Sequence, residues 1–246
     1  MKERMLGWGG IVRLGLVQTS LGAVVVLTTS TINRIMVVEL ALPAMLPGAL
    51  VALHYFIQIA RPRLGYGSDV GGRRTPWIIG GMAVLAAGGV GAALATALLA
   101  EAPVLGTVCA TLAFVLVGVG VGASGTSLLV LLAKQTAPER RPAAATITWV
   151  MMILGFIVTA GIAGALLDPF SFPRLVAVTG GVGLCALLVT TAAVWGVEHG
   201  GGAAVAEETE ADVGGREVPF AEALAEVWSE TRARRRAGDV GLLAHG

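Results

Sequence analysis

The amino-acid sequence predicts an all-α membrane protein with six transmembrane helices and one further, amphipathic helix. Apolar residues make up 55% of the 246 residues and charged residues only 13%, and the mean hydropathy is +0.81. Soluble domains average about 25% charged residues, so most of this chain is expected to lie away from water. The apolar residues are gathered into six long runs, and the basic residues fall almost entirely between alternate runs. Together these observations predict a multi-pass membrane protein.

Each apolar run has about the length that a helix needs to cross ~30 Å of hydrocarbon. The predicted spans are residues 14–32, 43–60, 77–99, 104–133, 145–167 and 175–197. The first run is long and lacks a small-residue cleavage site, so we expect it to be retained as a helix and not removed as a signal peptide.

The positions of lysine and arginine predict the orientation. Of the 17 basic residues, all but Arg34 and Arg174 fall on one side of the predicted spans. Loops on the cytoplasmic side of a membrane protein carry the excess of such residues. Both termini are therefore expected in the cytoplasm.

Four segments are predicted along the chain. Residues 1–198 form the six-helix bundle, 199–217 a polar linker, 218–232 a cytoplasmic amphipathic helix, and 233–246 a tail that we expect to be disordered. In the amphipathic helix, apolar residues at spacings i, i+4, i+7 and i+8 share one face. They are Phe220, Leu224, Val227 and Trp228. This face could dock on the membrane surface or on the bundle; the alternative is a solvated helix with a chance apolar stripe.

A glycine-rich basic motif lies between the second and third spans. The pattern G-x-x-x-D-x-x-G-R-R is carried by Gly65, Asp69, Gly72, Arg73 and Arg74. Glycines permit a tight turn, and an aspartate can cap the N-terminus of a neighbouring helix. The alternative is an ordinary short basic loop. The motif resembles the signature that major facilitator superfamily transporters carry in this same cytoplasmic loop. That resemblance implies that the six helices form one half of a major-facilitator-type bundle.

Further segments narrow the resemblance. Residues 13–18, 33–40, 73–78 and 219–228 resemble the PucC/LhaA family of phototrophic purple bacteria. The resemblance implies a twelve-helix protein that assists assembly of light-harvesting antenna complexes, with delivery of bacteriochlorophyll as a proposed role. It covers residues from about 11 to about 232. Family members continue into six more helices, whereas this chain ends soon after Arg236, and its last residues are expected to fall outside the resemblance. A truncated gene, a frameshift or a half-protein would each produce such an ending.

The predicted spans contain no Asp, Glu, Lys or Arg, and His54 is their one ionisable side chain besides two cysteines. Ionisable groups at membrane depth mark proton relays, so their scarcity argues against a proton-coupled symporter of polar solutes. In the context of the resemblance, His54 could ligate the magnesium of a bacteriochlorophyll, with Tyr55 and Phe56 packing on the macrocycle. The alternative is a histidine that is hydrogen-bonded within the bundle.

Small and polar residues in the spans have two readings. Gly118, Gly122, Gly155, Gly161 and Gly164 are expected to let helices pack closely. Polar residues of the first span could line a cavity or form hydrogen bonds between helices; they are Gln18, Thr19, Ser20 and the hydroxyl residues at 28–31. Nothing predicts an enzyme, a metal site or nucleic-acid binding, since no nucleophile elbow, phosphate loop, metal-ligand cluster or basic–aromatic stretch is present.

The residues and the resemblance together favour a non-enzymatic membrane subunit or assembly factor of the purple-bacterial light-harvesting/reaction-centre complex. It would dock against antenna polypeptides or the reaction centre in the bacterial inner, intracytoplasmic membrane. Bacteriochlorophyll, carotenoid or lipid would fill the gaps. The alternatives are a half-size transporter that acts as a homodimer on a lipophilic substrate, and a fragment that inserts without function.

Overall fold

The computed structural model describes residues 5–60 and 73–198, and within these ranges the chain forms helices and turns but no strand. The predicted all-α fold is confirmed. Six helical segments follow in order, and we name them α1 (Trp8–Val38), α2 (Met45–Ile57), α3 (Thr75–Glu101), α4 (Pro103–Gln135), α5 (Arg141–Leu166) and α6 (Phe172–Val194). Short 3₁₀ turns extend α2 (Gln58–Ala60) and precede α5 (Pro138–Arg140).

Five of the six segments, all except α2, are long and apolar enough to cross a membrane. The helix α2 has 13 residues, which is about 20 Å of helix and less than the ~30 Å of a bilayer core. The second predicted span, 43–60, is therefore shorter as a helix than the apolar run suggested. The chain turns just before α2, where Ala41 has a φ of 50°.

The helix α1 is longer than its predicted span and is not α-helical throughout. It begins at Trp8 and continues to Val38, so that Arg13 and Arg34 lie near its two ends. Between Trp8–Val26 and Asn33–Val38, the segment Leu27–Ile32 is π-helical. Such wide turns are rare and occur mostly as insertions within α-helices.

Helix packing places α1, α3 and α4 at the centre of the bundle. The helix α3 packs along α4, α1 packs against both α5 and α6, α3 also contacts α6, and α2 packs on α4. A Cβ on Gly120 would lie 2.5 Å from the backbone nitrogen of Leu85, so the backbones of α4 and α3 touch there. A Cβ on Gly118 would lie 2.8 Å from Cβ of Ile57, so α2 and α4 also meet closely.

The expectation for the glycines is confirmed in part. Gly118 and Gly155 lie at close helix contacts. Gly122 is buried. No described atom lies within 4 Å of a Cβ built on Gly161 or Gly164, so these two make no close helix contact within the described chain, and their role in helix packing stays a prediction. They lie on the open side of α5, where α1 does not reach.

Candidate functional site

His54 lies in the last turn of α2, with its side chain only 1% exposed. Its Nε2 is 2.8 Å from Nε2 of Gln58, one helical turn along the chain. Its ring meets that of Tyr55 edge to face, with the centroids 4.7 Å apart. The rings of Tyr55 and Phe56 are themselves mostly exposed. This geometry presents aromatic surface to the outside of α2 while the imidazole is engaged by a neighbour.

The basic motif is described only at its end. Gly65, Asp69 and Gly72 lie outside the described residues, whereas Arg73 is exposed and Arg74 is buried, with 9% exposure. The backbone N–H groups of Arg74 and Thr75 donate to the two carboxylate oxygens of Glu198, at 2.6 and 2.9 Å. These amides belong to the first turn of α3, where no intrahelical acceptor exists. The glutamate at the end of the sixth span therefore caps the helix that follows the motif.

Two more side chains bind the same stretch of chain after α6. The guanidinium of Arg13, in α1, donates to the carbonyl oxygens of Trp195 and, at 3.4 Å, Ala192. The amide of Gln135, at the end of α4, donates to the carbonyl of Val197 at 3.5 Å. Sequence reasoning did not identify Arg13, Gln135 or Glu198 as a group. Their only sequence signal is that each is polar and lies at the boundary of an apolar run.

Basic side chains concentrate at this end of the bundle. Among the described residues it carries Arg13, Arg73, Arg74, Lys134, Arg140 and Arg141, against the acidic Glu139 and Glu198. Arg140 lies over the indole ring of Trp8, 5.5 Å from the centroid, and ties the start of α5 to that of α1. The arrangement matches the charge asymmetry from which a cytoplasmic location was predicted; the orientation itself stays a prediction.

The polar residues of α1 are used mainly for bonding between and within helices. Thr19 donates to the carbonyl of Met151 in α5 at 3.0 Å, and Gln18 donates to the sulfur of Met152 at 3.3 Å. The hydroxyls of Thr28 and Thr29 donate to carbonyl groups of α1 itself. Between the two readings of these residues, the geometry favours hydrogen bonding over the lining of a cavity.

Of the five long helices, α5 has the smallest share of buried residues. In its most apolar stretch 11% of the residues are buried, against 56% in α1. The buried residues follow one stripe against α1: Ala144, Thr148, Gly155, Thr159 and Ala163. The rest of the helix is open and carries large apolar side chains: Trp149, Val150, Ile153, Leu154, Ile157, Val158, Ile162 and Leu166. We call this surface the open face of α5.

The predicted docking residues of the cytoplasmic helix, Phe220, Leu224, Val227 and Trp228, lie outside the described residues. The predicted polar linker and tail, residues 199–217 and 233–246, do so as well. These expectations remain predictions.

Comparison with known proteins places the sequence among photosynthesis-related membrane proteins. A model of the family described as PUCC protein matches residues 31–246. The match runs to the last residue, so the expectation that the final residues fall outside the resemblance is wrong. No solved structure matches the chain.

Three relatives come from Rhodobacter capsulatus. The chain is 56% identical over 229 residues to the bacteriochlorophyll synthase 44.5 kDa chain, which covers 93% of this chain and 52% of the relative. It is 34% identical over 203 residues to Protein PucC, covering 75% of this chain and 43% of the relative. It is 30% identical over 202 residues to an uncharacterized protein of the puhA-bchM intergenic region, covering 75% and 41%. The chain thus spans about half the length of these relatives or less.

Proposed function

This chain belongs to the PUCC protein family, and from that membership we propose that it is a non-enzymatic membrane subunit or assembly factor of the bacterial light-harvesting/reaction-centre complex. Two lines of support converge. One relative is named as a bacteriochlorophyll synthase chain, and another is named PucC. The five long apolar helices suit a protein of the bacterial membrane. Because the relatives are about twice as long, the activity of a whole relative is a proposal for this chain.

The observation that carries the docking proposal is the open face of α5. Apolar helices gain little from leaving lipid for another apolar surface, so association within a membrane depends on close packing and on small residues. The open side of α5 offers both large side chains and uncovered glycines, Gly161 and Gly164. We propose that transmembrane helices of antenna polypeptides or of the reaction centre pack here. The proposed cytoplasmic anchors are Arg73 and Arg74 together with the apolar face of residues 218–232.

Pigment handling is a second part of the proposal. Bacteriochlorophyll, carotenoid or lipid would lie between this chain and its partner. For His54 to ligate the magnesium of a bacteriochlorophyll through Nε2, the ring, which is 1% exposed, must become accessible and exchange its contact with Gln58 for the metal. The exposed rings of Tyr55 and Phe56 supply apolar surface next to that position.

The word synthase in one relative's name raises the opposite possibility, an enzymatic role. Among the described residues there is no group of three or more His, Cys, Asp or Glu side chains that could hold a metal ion. An assay of purified protein with bacteriochlorophyll precursors distinguishes the two roles, since turnover would contradict the non-enzymatic proposal.

A half-size transporter is the alternative from another class. Two copies of the chain would together equal about the length of one relative, and α5 has an open face through which they could meet. Cross-linking in native membranes tests it. A homodimer without antenna polypeptides favours the transporter, and a hetero-complex with antenna polypeptides favours the main proposal.

The direct test is purification of the tagged chain from a phototrophic host in a mild detergent, followed by an absorption spectrum and mass spectrometry. The proposal expects near-infrared bacteriochlorophyll bands and co-purified antenna or reaction-centre polypeptides. A colourless homodimer would contradict it. A matched sample bearing a disruptive substitution on the open face of α5 separates specific docking from carry-over of abundant photocomplexes.

A further inference from the structure

The chain leaves α6 through a tight turn that is held from three sides. Trp195 has φ −58° and ψ 121°, Gly196 has φ 73°, and the N–H of Val197 donates to the carbonyl of Val194 at 3.1 Å. These values describe a type II β-turn, in which the third residue needs a positive φ and is usually glycine. The turn sends the chain sideways from the axis of α6, towards the start of α3.

Three side chains fasten this turn to neighbouring helices, and we call them together the exit clamp: Arg13, Gln135 and Glu198. Each connects the exit of α6 to a different helix, since Arg13 lies in α1, Gln135 ends α4, and Glu198 reaches the first turn of α3. The carbonyl of Gln135 also accepts from the N–H of Leu6, just before α1. The ends of α1, α3 and α4 therefore converge on the residues that follow α6.

The contacts at either end of the clamp are of the strong kind. The guanidinium of Arg13 binds carbonyls at the C-terminus of α6, where the last turn leaves acceptors without intrahelical donors. The carboxylate of Glu198 binds two N–H groups at the N-terminus of α3, at 2.6 and 2.9 Å. Both are charge-assisted hydrogen bonds, which are shorter and about twice as strong as neutral ones. Only two residues separate Trp195 from Glu198, and the turn leaves them little freedom.

We propose that the exit clamp is a conformational latch that couples α1 to the start of α3. A shift of α1 relative to α6 moves Trp195 through Arg13, and the short turn passes this shift to Glu198. The carboxylate then loses its alignment with Arg74 and Thr75, because hydrogen bonds weaken steeply as their angle departs from linear. Movement at the membrane-embedded α1 would thus change the Arg73–Arg74 end of the basic loop and the position from which the following chain departs. The inference is independent of the proposed function.

Hydrogen exchange at single amides tests the coupling directly. In the full chain in detergent, the two reporters are the N–H groups of Arg74 and Thr75; Pro76 has no amide, which simplifies their assignment. Arg13→Gln removes the charged fork without touching either reporter. We expect exchange at both reporters to become about tenfold faster, as for loss of one charge-assisted hydrogen bond. Wild-type protection of both amides in this variant would overturn the proposal. The contacts of Arg13, Gln135 and Glu198 would then be independent of one another.

The reciprocal variant provides the second arm. Glu198→Ala must speed exchange at Arg74 and Thr75 directly; in addition, coupling requires faster exchange at the N–H of Val197, which bonds to Val194 and not to Glu198. The proposed shift passes through this turn, so an unchanged Val197 would overturn the latch even if Arg13→Gln failed to fold. Glu139→Ala, an exposed glutamate at the same end of the bundle, is the matched control and should leave all three amides unchanged.

Discussion

The hydroxyl of Thr19 donates a hydrogen bond that is shared between the backbone carbonyl of Met151 in α5, 3.0 Å away, and that of Gly15 in its own helix, 3.1 Å away, and so joins α1 to α5 inside the bundle. At the same level a Cβ on Gly155 would collide with the carbonyl oxygen of Thr19, so the two backbones are in direct contact. The helix α5 packs mainly against α1. The contact between α1 and α5 at this level therefore fixes the position of α5, and with it the position of the open face of α5.

Replacement of Thr19 by valine tests the interhelical bond. Thr19→Val keeps the shape of the side chain and removes the donor, and we expect the free energy of unfolding to fall by about 0.5–1.5 kcal/mol, the range of such bonds in membrane proteins. Thermal unfolding in detergent measures it. Thr146→Val is the control, because Thr146 is exposed and its hydroxyl bonds only to Pro142 of its own helix. Equal effects of the two substitutions would contradict a role for the Met151 contact.

Replacement of Gly155 by leucine tests the backbone contact. The added side chain must push α1 and α5 apart, and overpacking of this kind costs about 1–3 kcal/mol. Gly161→Leu, in the same helix but with no described atom within 4 Å of its Cβ position, should leave stability nearly unchanged. Comparable destabilisation by both variants would contradict the contact with α1 as the cause, because Gly→Leu raises helix propensity and should not by itself destabilise α5.

A tryptophan on the open face of α5 tests the docking proposal. Ile157 is 63% exposed there, and Leu112 of α4 is 61% exposed on another side of the bundle. Ile157→Trp should reduce the co-purified antenna or reaction-centre polypeptides at least about tenfold, since an obstructed interface loses more than one strong contact. Leu112→Trp should retain them. Loss with neither variant would point to a docking surface away from α5.

Pigment ligation by His54 predicts opposite effects of two neighbouring substitutions. His54→Leu removes the ligand and should lower the bacteriochlorophyll content of the purified sample, whose remaining bands come from co-purified antenna or reaction-centre polypeptides. Gln58→Leu removes the side chain that lies 2.8 Å from Nε2 and should maintain or increase pigment occupancy. The absorbance ratio of pigment to protein is the measurement. Unchanged pigment content in His54→Leu would assign the bound pigment to another part of the complex.

The predicted orientation is tested by labelling from one side. In a background of Cys109→Ala and Cys185→Ala, single cysteines replace Glu139 at the basic end and Glu101 at the opposite end; both glutamates are exposed. A membrane-impermeant maleimide added to intact spheroplasts should label Glu101→Cys and spare Glu139→Cys, because basic ends face the cytoplasm. The reverse pattern would invert the topology.

Hydropathy predicted the bounds of α3 and α4 to within two residues. The spans predicted at 77–99 and 104–133 became Thr75–Glu101 and Pro103–Gln135, each extended by one or two residues at either end. The prediction was poorer for α1, which extends beyond 14–32 to Trp8 and Val38, because long side chains such as Arg13 and Arg34 can lie within a helix and still reach the interface. For α2 the apolar run exceeded the helix, since apolarity does not report where backbone hydrogen bonding stops.

The contacts between helices could not be predicted from one sequence. Glu198 and Arg74 are 124 positions apart, and no spacing rule links them. The sequence did place an aspartate, Asp69, as a candidate cap for a neighbouring helix. Asp69 lies outside the described residues, so that expectation stays a prediction, and the described start of α3 is capped by a glutamate that follows the last helix of the chain. Which helices are neighbours decides such pairs, and hydropathy carries no information about neighbours.

The π-helical segment Leu27–Ile32 has a consequence for alignment between relatives. A π-turn holds one residue more than an α-turn, so the side chains after Ile32 are rotated relative to a continuous α-helix that starts at Trp8. A relative lacking one residue in this stretch could keep the same positions on both sides of it. Residue-by-residue cysteine scanning of the first span should accordingly show its period of exposure slip by about one position beyond Ile32.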